Sequence, residues 1–114
     1  MGWLLHDGEV LASVEVATGV WSRIRPGVHL VRSPAVVLGG GRFLMGLRTL
    51  NPMIAVDLNE ELSVLSMRTL RHSGIHLYSR GTRWVVLAPL TLARRWSLSV
   101  GDELELRVHG GIDE

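Results

Sequence analysis

Turn-forming residues cut this chain into pieces that suit short strands and helices of one or two turns. Asp7-Gly8, Pro26-Gly27, Gly39-Gly40-Gly41, Asn51-Pro52 and Gly101-Asp102 each supply a residue that tolerates positive φ or a proline that interrupts a helix. Between them the apolar residues fall in short alternating or continuous runs. Short strands at close spacing, bounded by turn signals, argue for a compact barrel or sandwich.

Residues 3–6 and 9–16 flank Asp7-Gly8 and predict a β-hairpin, because Asp-Gly reaches the positive φ of a tight turn. In the second strand Val10, Ala12, Val14 and Val16 fall on one face, with Leu11, Ser13 and Glu15 on the other. Thr18 is placed to cap a helix of at most two turns running through Trp21 to Ile24, which Pro26-Gly27 would end. Residues 29–32 read either way. Strands are predicted over 35–38, 43–50, 53–58 and 62–67. The run Trp84-Val85-Val86-Leu87 is continuously apolar and predicts a strand buried on both faces. Pro89 then opens a short helix over 90–96, where its missing amide does no harm. In residues 103–108, Glu103, Glu105 and Arg107 point outward while Leu104, Leu106 and Val108 point inward. The sum is a mostly β fold: a small compact β-barrel or sandwich of six to eight short strands with one or two short helices. At 114 residues there is material for one core. We expect a single β-rich domain over 1–108 and a flexible tail over 109–114.

Composition removes several chemistries. With no cysteine, disulfides, thiol catalysis and thiolate metal sites are excluded. The apolar runs, such as 85–90, fall far short of the ~20 residues that span a bilayer. The apolar start has no basic region before it and is followed by Asp7 and Glu9, unlike a secretory signal, so a cytoplasmic location is expected. All twelve basic residues are arginine, as arginine-rich codon usage would give. The acids cluster, leaving five arginines and no acid over 16–56, and six arginines and no acid over 62–101. Either these arginines share a face that attracts phosphate or an acidic protein, or they scatter over a solvated surface.

Residues 69–82 are polar and irregular and are expected to form an exposed loop, the usual place for binding residues. The candidate binding residues are Arg68, Arg71, His72, His76, Arg80 and Arg83, with Tyr78 and Trp84 available for stacking on a nucleic acid. No catalytic residue is assigned. Ser73 lies near His72 and His76 but in no Gly-x-Ser-x-Gly elbow. His72 and His76 have i, i+4 spacing, yet Ser73-Gly74 disfavours a helix and no acid stands by as a third ligand, so no metal is expected. Asp57, Glu60 and Glu61 read as turn carboxylates facing water, and Asp102 as a turn residue bonding local amides. The triple glycine lacks the Lys-Ser/Thr of a phosphate loop, and no cofactor is expected. Trp3, Trp21, Trp84 and Trp96 read as core or rim residues.

Three stretches resemble the bacterial and archaeal family called "domain of unknown function 192". The first is 10–18, Val-Leu-Ala-Ser-Val-Glu-Val-Ala-Thr, followed by Arg23 and Gly27-Val28. The second is Pro52-Met53-Ile54-Ala55-Val56-Asp57-Leu58-Asn59 with Leu62-Ser63-Val64. The third is Val85-Val86-Leu87-Ala88-Pro89, then Ala93-Arg94-Arg95-Trp96, then Gly101-Asp102-Glu103-Leu104. The resemblance implies a small β-rich barrel with one or two helices and names no reaction. The family pattern has an acid where Ile54 stands, and another at Leu87 or Ala88. Apolar side chains have therefore replaced the polar positions. The resulting expectation is a non-catalytic accessory domain that binds another protein or builds a homo-oligomer, with a link to pilus or secretion machinery implied by the resemblance. The alternative is an anion or nucleic-acid binder using the Arg-rich loop, and a hydrolase-like enzyme with an unrecognised site stands third.

Overall fold

The structure, a computed structural model, describes residues 2–18, 34–45, 52–70 and 75–108. They form nine strands: β1 (Gly2–His6), β2 (Glu9–Thr18), β3 (Ala35–Gly39), β4 (Phe43–Met45), β5 (Met53–Leu58), β6 (Val64–Leu70), β7 (Ile75–Leu77), β8 (Trp84–Pro89) and β9 (Glu105–Val108). One helical turn, α1 (Leu90–Ala93), follows β8. The mostly β expectation holds, with one strand more than the upper bound. Thr18, expected to cap a helix, is the last residue of β2; the rest of that helix (19–24), the ambiguous 29–32 and the tail at 109–114 lie outside the described residues.

Seven strands make one sheet in the order β6-β5-β8-β3-β2-β1-β9, antiparallel except for the β2–β3 pair. The sheet curls until its two ends touch. Ser63 bridges Glu103, the Val64 amide donates to the Asp102 carbonyl at 2.8 Å, and the Leu104 amide donates to the Leu62 carbonyl at 2.9 Å. Inside the curl, Leu4, Ala12, Val14, Val37, Val56, Leu58, Val64, Val86 and Leu104 form the main core. A second apolar cluster lies on the outer face of the central strands, where Val36, Leu38, Met53, Ala55, Val85 and Leu87 pack with Leu70 and Tyr78. Strand β8 contributes to both, so Val85, Val86, Leu87 and Ala88 are all buried, as their unbroken apolar run predicts. Each such Val or Leu contributes roughly 1.5–3 kcal/mol relative to exposure.

The Asp7-Gly8 hairpin forms with φ of 52° and 79°, both positive as the turn demands. The alternation in β2 fails at one end, however. Leu4 pairs with Ala12 but Leu5 pairs with Val10, so Leu11 is an extra residue, a β-bulge. The bulge resets the alternation, and Val10 turns to solvent while Ala12 and Val14 stay buried. In the closing segment Leu104 is buried and Glu105 meets Arg107 on the outside, as the alternation predicts, but Val108, expected inward, is exposed at the end of β9.

A two-stranded ribbon, β4 with β7, is the second sheet, pairing Phe43 with Leu77 and Met45 with Ile75. In β7 the side chains alternate: Ile75 and Leu77 are exposed and His76 is buried. The ribbon thus turns its outer face to water and sends His76 toward the sheet.

Candidate binding site

The acid at position 57 is the least expected feature of the fold. Asp57 is no turn carboxylate facing water: it sits inside β5 with no exposed surface. Strand alternation puts it on the outer face of the sheet, with Met53 and Ala55 of the second apolar cluster. His76 Nε2 reaches Asp57 Oδ1 at 2.8 Å. Asp57 Oδ2 accepts from the Ser79 amide at 2.8 Å and from Ser66 Oγ at 3.2 Å, and the two serine hydroxyls are 2.5 Å apart. Ser66 pairs with Asp57 beside a second bulge, at Leu65. The cluster therefore ties β5, β6, the ribbon and the turn after it into one polar knot.

Burial alone would push the Asp57 carboxyl up. The His76 bond, the Ser79 amide and the attraction of His76 together outweigh it and hold the carboxyl below its ordinary value of 3.8. Because the folded value lies below the unfolded one, ionised Asp57 adds stability that is fully present above the ordinary value. That stability is lost as pH falls through the folded value. Urea midpoints measured from about pH 6 down to about pH 3 should therefore fall more steeply for the wild type than for D57N. Parallel curves would show that the knot does not titrate with folding.

A nucleophilic serine needs a basic nitrogen within hydrogen-bond reach. Here both hydroxyls join the carboxylate side of the pair, while His76 Nδ1 is buried with no hydrogen-bond partner among the described residues. Among the described residues no group of three His, Asp or Glu side chains able to hold a metal occurs.

Above the knot lies a half-open polar cleft of about 340 Å³, between the turn at Gly41 and Arg42 and the turn from Ser79 to Thr82. Gly40 and Gly41, both at φ 81°, and Gly81, at φ 88°, make these turns. The Tyr78 amide bonds the Arg42 carbonyl at 2.9 Å and so holds the two turns together. Arg42 and Arg80, both exposed, line the cleft. Beside it the ribbon shows Phe43, Ile75 and Leu77 to solvent at 41%, 60% and 68%.

The six candidate residues thus part company. Arg80 joins the cleft. Arg68, exposed on β6, shares a sheet face with Ser66 and Leu70 by alternation. Arg83 lies 5.6 Å from the Trp84 ring centre, engaged within the chain. His76 is buried, not a loop residue, because 75–77 is a strand rather than part of an irregular stretch. Arg71 and His72 lie outside the described residues. Tyr78 packs against the outer apolar cluster and Trp84 against the main core, each half-buried. Asp102 bonds the Ser99 amide at 2.8 Å, as expected of a turn acid. Arg42 and Asp57 were not singled out as binding residues. The signal for Asp57 was an acid enclosed by Val56 and Leu58 in an apolar strand, and for His76 its place between Ile75 and Leu77.

Fold and site together define a small, mostly β domain with a covering ribbon and a surface cleft. Its fold is similar to that of a proposed transcription regulator from Sinorhizobium meliloti 1021, at a TM-score of 0.67 and 21% identity over 92% of this chain and 91% of that one. It is also similar to a protein of unknown function from Novosphingobium aromaticivorans DSM 12444, at a TM-score of 0.53 and 14% identity over 81% of this chain and 73% of that one. At these identities the likeness is one of fold. No family model and no curated protein matches the sequence. Among the described residues no helix is long and apolar enough to cross a membrane.

Proposed function

We propose that this chain is a non-catalytic binding domain that holds a partner protein on the outer face of the β4–β7 ribbon, and that it is a divergent relative of the domain of unknown function 192. The observation that carries the binding reading is the apolar face of Phe43, Ile75 and Leu77 on a ribbon fixed from beneath by His76. Contiguous apolar surface of this kind is kept where a partner covers it. Ile54 packed on the main core, and Leu87 and Ala88 fully buried, support the replacement of the family's polar positions by apolar ones.

Charge argues for a partner other than a second copy. Arg42 and Arg80 border the ribbon, so a symmetric pair joined through this face would set arginines against arginines. The fitting partner presents an apolar patch edged by carboxylates. A photo-crosslinking residue placed at Leu77 of the full chain, in its own cells, should trap one such protein, and the same residue at exposed Thr91 should not. With that protein purified, I75S/L77S is expected to weaken binding at least tenfold. Trapping a second copy, or the same products from both positions, would refute the reading.

The second reading, nucleic-acid binding, draws on the description of the Sinorhizobium protein and on the exposed Arg42, Arg68 and Arg80. It requires affinity that drops steeply with salt, because phosphate contacts release counterions.

A further inference from the structure

We propose that the cleft between the Gly41-Arg42 turn and the Ser79–Thr82 turn is an oxyanion site, with Arg42 and Arg80 as its paired cations. The two arginines stand 38 positions apart in sequence yet line one cleft from opposing turns. Among the described residues neither guanidinium has a hydrogen bond or an ion pair, whereas Arg107 is bound to Glu105 and Arg83 rests on Trp84. Among the described residues no acid lines the cleft. The acid below it, Asp57, is sealed off and spends both oxygens on His76, Ser66 and Ser79. Two cations with no counter-charge beside them create a positive potential in a concave polar space, the condition under which an anion is drawn in and held.

Ser79 and Thr82, beside the two arginines, make the rest of the lining polar. The volume, about 340 Å³, is at the small end of ligand clefts and suits one phosphate or carboxylate group with its ordered water. Guanidinium forks match the planar edge of either oxyanion in two parallel bonds. The site does not depend on what covers the ribbon, so it can stand if the partner-protein reading falls.

The test is an NMR titration of the full chain at low ionic strength with inorganic phosphate and, separately, with acetate. Saturable shifts are expected at the amides of residues 41, 42 and 79–82. R42Q/R80Q should weaken the binding at least tenfold, R42K/R80K should fall between the two, and R94Q, which changes an exposed arginine away from the cleft, should leave it unchanged. I75S/L77S should also leave it unchanged, which separates this site from the ribbon face. Comparable affinity for both anions identifies a carboxylate, as from an acidic side chain; phosphate at least tenfold tighter identifies a phosphate group. Shifts that do not saturate, that R94Q reduces as much as R42Q/R80Q, or that persist in R42Q/R80Q would overturn the assignment.

Discussion

D57A is expected to destabilise the fold by about 3–5 kcal/mol, the cost of leaving buried partners without their counterpart. The carboxylate accepts from His76, the Ser79 amide and Ser66, and of these the buried His76 has no water to turn to once the acid is gone. His76 would be the worst placed, since its other nitrogen has no partner among the described residues. Equilibrium urea denaturation measures the loss directly, and Tm should fall by more than about 10 °C. The pattern of variants carries further information. D57N keeps the volume and one acceptor oxygen but sets an amide NH2 against a donor, so it should recover only part of the loss. H76A opens a cavity and frees one carboxylate oxygen, and should release the ribbon first. Hydrogen exchange in β4 and β7 would then quicken while β5 and β8 stay protected. If D57A matches the wild type in stability, the knot contributes no net stability.

G39V is expected to cost about 3 kcal/mol, mainly through overpacking. Gly39 ends β3, and a Cβ there would stand 2.4 Å from Trp84 Cζ3 and 2.9 Å from Cε3. Removing a glycine narrows the unfolded ensemble and would on its own stabilise by about 0.4–1 kcal/mol. The collision outweighs that gain because Trp84 has nowhere easy to go. It is paired across the ladder with Gly39 and Leu58, packed on the main core and overlain by Arg83. Denaturant midpoints would register the loss. An unchanged midpoint would mean that the ring swings aside freely.

How much of this was legible beforehand depends on whether the information was local. The Asp7-Gly8 hairpin, the β5 bounds and the doubly buried β8 follow from residues adjacent in sequence, and all three appear as the pattern implies. Val10 escaped the pattern because a bulge resets the alternation, and nothing in Leu11 itself announces one. The site was harder. Asp57 and His76 are 19 positions apart, and each alone resembles an ordinary polar residue near a turn. What joins them is a ribbon laid over a sheet, a relation with no fixed sequence spacing. Arg42 and Arg80 meet for the same reason, so a tally of arginines by segment registered their abundance and missed their pairing. The stretch 69–82 looked irregular because a three-residue strand is too short to display a period.

The pairing of β1 with β9 has a consequence for how the protein is made. Gly2 meets Val108 across that ladder, so β1 is synthesised long before the strand that covers its outer edge. Contacts that far apart in the chain raise contact order and slow folding, since a long loop must close before any bond rewards it. During synthesis the β1–β2 hairpin exposes Trp3 and Leu5 on an open edge, and that nascent hairpin is the species a chaperone would have to shield from its neighbours.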